Sequence, residues 1–389
     1  MRAEKFPLAV IPLNLIEPQS ENEGVITKAK KIRLYPSRNQ RKLLNKWCVG
    51  YNRIYNYTLR YIRYNNVFNY YNIRKVFLIQ SHYKRLVKQY NLPAKFGHEA
   101  INECCAAFKS AFANLRNKNI KFFKMGYKSS NTRTIVISKA CFSKSRNSFC
   151  LRSLGLIRSS SPISSARTSK LVYGKKIYLY CPTTSTKYKI TNSHKECALD
   201  PGVRTFQTLY STNGMKEYGK GFNKIIASHH AKIKLLDSRQ HTVNSKNRLR
   251  WYSKARDKIY RKLCNIVNEL HWKTALELVK QFDKIYIGSF CENSKNCVKK
   301  SGPLQKVTRF ATNQLKHYTF LQRLTFKATQ YNKTVKVIDE SYTSKTCGGC
   351  FQRNEIGSSK QYNCPNCKIS IDRDLNGARN ILLRANNLF

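Results

Sequence analysis

The stretch Lys195–Gly202, KECALDPG, decides how the chain is read. Cys197, Ala198 and Leu199 form an apolar run that Pro201 and Gly202 stop, the signature of a short buried strand. Asp200 ends that strand and is the first of only seven aspartates in 389 residues. A charged side chain at the end of a buried strand is costly unless it is paired or binds a cation.

The segments that follow give Asp200 its setting. TFQTLYSTNGMKEYGKG (205–221) reads as two strands around an Asn213–Gly214 turn. His229 to Phe282 is mostly helical in pattern, and DKIYIGSF (283–290) is a strand. Leu304–Tyr331 is helical again, and KTVKVIDE (333–340) is a strand. DRDLNGARNILLRANN (372–387) is a helix whose start carries Asp372 and Asp374. Three antiparallel strands, then helix, strand, helix, strand, helix is the order of an RNase H-like α/β sheet.

Upstream, KAKKIRLYP (28–36) alternates and stops at Pro36, a strand, and Ser37 is placed to cap a helix. Leu43, Leu44, Trp47, Tyr51, Ile54, Tyr55, Leu59 and Ile62 recur at three- and four-residue spacing along one long amphipathic helix. Helical patterning runs on to about Asn117. Residues 118–190 are strand-like and basic, with serine-rich loops such as RSSSPISSARTSK. The first 24 residues carry four glutamates and no periodic pattern, and read as a mobile tail.

Phosphodiester hydrolysis by two metal ions needs several carboxylates at one point, holding divalent ions about 3.5–4 Å apart. In such a sheet the donors are the ends of the first and fourth strands and the start of the last helix. Asp200 is the first. Asp374 lies beside the apolar stripe of Leu375, Ala378, Ile381 and Leu382, which favours it over Asp372, left as helix cap. The fourth strand offers Gly288 where an acid is wanted. Glu292 lies four residues on, about 13 Å along an extended chain, too far unless the strand stops early. Glu340, ending the neighbouring strand, supplies the missing ligand, with Asp339 pointing to the opposite face. This predicts a Mg2+ site on Asp200, Glu340 and Asp374.

Cys347, Cys350, Cys364 and Cys367 form C-x2-C-x13-C-x2-C, each pair on a tight turn, CGGC and CPNC. Four thiolates make a closed tetrahedral site, which predicts a structural Zn2+ at 345–370. Lys plus Arg number 73 against 20 Asp plus Glu, a net charge of +53. Self-repulsion makes that charge costly, and a bound polyanion, nucleic acid, compensates it. The CxxC pairing and the chain length argue against a secreted disulfide scaffold and for a reducing compartment. No run reaches about 18 apolar residues, so no membrane span and no membrane partner are expected.

KIRLYPSRNQRKLLNKWCVGYNRIYNYTL, ALDPGVR, SYTSKTCGGC, CPNC and DRDLNGARNIL together, in order over about residues 28–385, resemble TnpB, the transposon-encoded RNA-guided DNA endonuclease family. Gly288 with Glu340 departs from the typical pattern, in which the acid sits on the fourth strand, and is similar to the eukaryotic and viral relatives called Fanzor. The resemblance implies an α+β multidomain fold. A β-barrel-like wedge domain (28–36 and 118–190) and a helical recognition domain (37–117) precede a RuvC nuclease domain (191–389) with a zinc-ribbon insertion. It also implies catalytic roles for Asp200, Glu340 and Asp374, a guide RNA (omega RNA) held by one protein copy, and target double-stranded DNA cut beside a short motif. Lys/Arg clusters such as Lys28–Lys31 point to a nuclear address in a eukaryotic or viral host, and otherwise to the nucleoid or cytoplasm. A nuclease-dead guided binder and a transposon-associated nucleic-acid-binding zinc protein are the alternatives.

Overall fold

A computed structural model describes residues 25–129, 133–143, 146, 148–165, 167–188, 195–290, 306–355 and 359–388. The residues of the expected N-terminal tail up to 24, and Glu292, lie outside these. The chain divides into two compact units, the first ending at Ser185 and the second beginning at Thr186.

In the first unit β1 (Val25–Tyr35) starts three residues before the expected Lys28 and stops at Pro36, which has no N–H to continue a ladder. The Ser37 hydroxyl accepts from the Gln40 amide at 3.3 Å and the Gln40 side chain accepts from the Ser37 amide at 2.9 Å. This reciprocal capping box opens α1 (Arg38–Asn65), which ends where Asn66 turns left-handed at φ 54°. Leu44, Trp47, Tyr51, Ile54, Tyr55, Leu59 and Ile62 of α1 are all buried. They pack against α2 (Tyr70–Ile79), α3 (Ser81–Gln89) and α4 (Ala94–Arg116), where Trp47 meets the Phe96 ring edge-on at 5.3 Å. Beyond these lie β2 (Thr134–Ile137), the one-turn helix α5 (Leu151–Leu154), β3 (Arg158–Ser159), β4 (Ser169–Val172) and β5 (Ile177–Thr186). The five strands form one sheet in the order β2-β4-β5-β1-β3.

The second unit holds β6 (Glu196–Pro201), β7 (Gln207–Ser211), β8 (Gly214–Tyr218), α6 (Phe222–His241), α7 (Lys246–Gln281) and β9 (Lys284–Gly288). After them come α8 (Lys306–Leu315), α9 (His317–Gln330), β10 (Thr334–Ile338), β11 (Gln361–Asn363), β12 (Ser370–Asp372) and α10 (Arg373–Ala385). The main sheet runs β10-β9-β6-β7-β8, with β6, β9 and β10 parallel and β6, β7 and β8 antiparallel, the arrangement of an RNase H-like sheet. Two expectations shift. Ser211 pairs with Gly214, so the loop residues are Thr212 and Asn213, and Gly214 takes its φ of 139° just past the turn. The helical stretch before Tyr331 breaks at Lys316, left-handed at φ 50°, after which α9 starts at His317.

β6 is buried on both faces because the sheet is covered on both. Cys197 and Leu199 face α7 and α9 with Ile285 and Ile287. Ala198 and Tyr286 face the other way, onto Ile381 and Leu382 of α10. Side chains alternate along a strand, so Asp200 and Gly288 share the α10 face.

Candidate active site and metal centre

Asp200 sits where β6 ends, against the first turns of α10. A Cβ at Gly377 would lie 2.8 Å from Asp200 Oδ2, so only glycine lets the helix come this close. Asp374, in the first turn of α10, lies near enough to Asp200 for its charge to act on it. The Asp372 side chain accepts from the amides of Asp374 at 2.9 Å and Leu375 at 3.3 Å, and pairs with Lys360 at 3.2 Å. It is the helix cap.

The third carboxylate comes from β10. Ile338 pairs with Gly288 on β9, and Ile287 with Leu199 on β6, so the ends of the three parallel strands lie side by side. Glu340 is two residues past Ile338, on its face, and turns its carboxylate back over Gly288. A Cβ at Gly288 would stand 2.2 Å from Glu340 Oε2. The oxygen occupies the volume that a side chain of position 288 would need. Oε2 is buried without a hydrogen-bond partner among the described residues, an orphan acceptor of the kind a cation satisfies. Asp339 is turned outward, bonded to Ser341 and paired with Arg384 at 3.5 Å.

The electrostatics follow from this crowding. Burial first, then the Glu340 and Asp374 charges, push Asp200 well above the usual aspartate range, with Arg373 working against them. Burial lifts Glu340 to about 7 even though the Phe290 amide favours its charged form. Burial and Asp372 raise Asp374, opposed by Lys360, Arg373 and Arg204. Burial and neighbouring like charges outweigh the nearby cations and shift the carboxylates in this direction. The donor set, three carboxylates with one orphan oxygen, suits hard divalent cations such as Mg2+.

The second candidate is the cysteine cluster. The sulfurs of Cys347, Cys350, Cys364 and Cys367 all lie within 4.8 Å of one another, the one such set of Cys, His, Asp or Glu donors among the described residues; the carboxylates stand further apart. Cys347 and Cys367 are 3.5 Å apart and Cys350 and Cys364 3.6 Å. Those separations are far beyond a disulfide bond of about 2.05 Å. They are close to the roughly 3.8 Å edge of a tetrahedron with metal–sulfur bonds of about 2.3 Å. The amides of Cys367 and Asn366 pull the Cys364 thiol down to about 6, and the Gly349 amide donates to Cys347 Sγ at 3.4 Å. The short antiparallel pair β11–β12 carries the second knuckle.

Similarity to known proteins runs along most of the chain. A Cas12f1-like TNB domain matches residues 317–381 and a helix-turn-helix domain matches residues 26–66. A TnpB-like protein of Acanthamoeba polyphaga mimivirus is 30% identical over 389 residues, covering 92% of this chain and 73% of that one. The chain belongs to the TnpB-like family. A second TnpB-like protein of the same virus matches the TnpB-like chain to the same extent, 30% identical over 92% of it and 73% of the relative. Among solved structures, the complex of Cas12f1 with single-guide RNA and target DNA superposes with a TM-score of 0.52 at 13% identity, over 92% of this chain and 98% of that one, which makes the fold common to both. Residues 26–66 of the TnpB-like chain fold as a strand and one 28-residue helix.

The structure thus brings Asp200, Glu340 and Asp374 to one place and the four cysteines to another. Sequence reading missed Gly377, whose lack of a side chain admits Asp200. It also treated Gly288 only as a missing acid. The signal for both was glycine inside a regular element, where it is otherwise unfavourable.

Proposed function

We propose that this TnpB-like chain is a guide-RNA-directed, divalent-metal-dependent DNA endonuclease. The observation that carries the reading is the Glu340 carboxylate standing in the empty side-chain volume of Gly288, beside Asp200 and the start of α10. Asp200, Glu340 and Asp374 would hold two Mg2+ ions, which when bound activate water and stabilise the leaving oxygen of a phosphodiester. The chain's own part is geometric and electrostatic. β6 and α10 fix Asp200 and Asp374, the turn after β10 aims Glu340, and the sheet keeps the site partly dry so that its charges act strongly. The alternative of a guided binder that cannot cut rests on Gly288 lacking an acid; Glu340 in its place favours cutting.

On this reading the sheet of the first unit is the wedge-like domain and α1–α4 the recognition helices, while the second unit is the nuclease domain. Cys347, Cys350, Cys364 and Cys367 would hold a structural Zn2+. The net charge of +53 suits a partner set of omega RNA and duplex DNA, with base pairing reading the target and the protein a short adjacent motif; the solved Cas12f1 complex holds a single-guide RNA and target DNA. The place of work would be the nucleus of a eukaryotic or virus-infected host.

The test is cleavage of a target plasmid by protein co-purified with its own RNA, in Mg2+. Asp200→Ala, Glu340→Gln and Asp374→Asn should each abolish cutting while RNA binding persists, and Asp372→Asn should retain most of it. Full cutting by Glu340→Gln, with loss in Glu292→Gln, would move the third ligand to residue 292.

A further inference from the structure

Two asparagines of α10 do more than fill the helix. Asn376 and Asn380 are 1% and 0% exposed, a costly burial for amides unless they are bonded. Their bonds all go to one segment, from Thr343 in the turn after Glu340 to Gly348 in the first cysteine knuckle, and Asn380 Oδ1 alone has no partner among the described residues. Asn376 donates to the Thr346 carbonyl at 2.7 Å and accepts from the Gly348 amide at 3.0 Å. Asn380 donates to the Thr343 carbonyl at 2.7 Å and to the Thr346 carbonyl at 2.8 Å. Thr343 in turn closes the Glu340 turn, its hydroxyl donating to the Glu340 carbonyl at 2.8 Å and its amide at 3.1 Å. Gly348 lies flush on the helix. A Cβ there would meet Asn380 Oδ1 at 2.9 Å and Asn376 Oδ1 at 3.1 Å.

We propose that Asn376 and Asn380 are positioning residues that lock three things into one body: the Cys347–Cys350 knuckle, the turn that aims Glu340, and the helix that carries Asp374. The state of the cysteine site then sets the geometry of the carboxylates without any shared ligand. The proposal rests on the carboxylate site described above for its consequence, but not for the link itself.

The full-length protein with its RNA is the test object. Cobalt in the cysteine site reports tetrahedral thiolate ligation by its visible absorption, hydrogen exchange reports the first turns of α10, and Mn2+ binding by paramagnetic resonance reports the carboxylates. Asn380→Ala, Asn376→Ala and Gly348→Ala, which attacks the same contact from the ribbon side, should all keep the cobalt spectrum. They should nonetheless exchange faster in α10 and bind Mn2+ roughly 10- to 100-fold more weakly, as loss of outer-shell partners does elsewhere. Unchanged exchange in α10 would overturn the link whatever Mn2+ does. Loss of the cobalt spectrum would overturn it too, reducing the asparagines to residues that fold the ribbon. Faster exchange with no Mn2+ bound even by the wild type would uphold the link and remove the nuclease reading instead.

Discussion

A single methyl group at residue 288 should silence the carboxylate site. In Gly288→Ala the new Cβ is built 2.2 Å from Glu340 Oε2 and 3.0 Å from Pro201 Cδ. Ordinary carbon–oxygen contact is near 3.3 Å, so Oε2 must retreat by about 1 Å, because Pro201 at the end of β6 cannot yield as a flexible side chain does. Misplacing a catalytic group by about 1 Å can cost about 100-fold in rate. Overpacking a close site typically costs about 1–3 kcal/mol, and here the lower end applies because Glu340 is free to swing out. The expected result is therefore a cleavage rate down about 100-fold in single-turnover assays with RNA-loaded protein, with the thermal transition lowered by only a few degrees. Because alanine acts through Glu340, Gly288→Ala combined with Glu340→Gln should bind Mn2+ no more weakly than Glu340→Gln alone. Wild-type cutting by Gly288→Ala, or additive losses in the double variant, would refute the idea that the two positions share one volume.

Three further outcomes are expected. Cys364→Ser should lower bound zinc, measured by elemental analysis of the purified protein, and render residues 345–370 sensitive to proteolysis, since a structural zinc site contributes its binding energy to folding. Ser37→Ala removes one arm of the capping box and should cost about 1 kcal/mol in denaturant unfolding, without changing the folded spectrum. Burial holds His317 down at about 4 and His271 at about 3, against an ordinary 6.5, so the unfolded chain binds more protons and their contribution is lost as pH falls from about 6.5 toward 4. Asp200 and Glu340, shifted upward, act in the opposite sense, so wild type must be compared with His317→Leu. The variant's deficit relative to wild type should shrink on acidification by up to about 3 kcal/mol, and a deficit constant between pH 7 and 4 would show that His317 is not held neutral.

Much of this was legible in the residues because the strongest signals are local. The stripe from Leu44 to Ile62, the Ser37 cap and the cysteine spacing each specify their structure within one element, and β6, β9 and β10 are short apolar runs between clear stops. Asp372 and Asp374 were separable because one position caps a helix and the next-but-one lies along its face. What was not legible depends on contacts between distant segments. Gly377 and Gly348 carry no pattern of their own; they matter only because Asp200 and two asparagines lie against them. Asn376 and Asn380 read as ordinary polar residues of a helix until the ribbon's carbonyls are seen above them. The break at Lys316 was missed for a related reason. Apolar periodicity continues across it, and only the left-handed backbone of Lys316 marks the break.

The occupancy of one small volume by an oxygen from residue 340, where residue 288 has only a hydrogen, has a consequence for descent as well as for chemistry. An ancestor with an acid on the strand and a descendant with the acid on the neighbouring turn are not joined by any single viable substitution. Acquiring the second acid first forces two negative groups into space for one; losing the first leaves the ions short of a ligand. Lineages of the two kinds should therefore sit on either side of a gap, with positions 288 and 340 changing together.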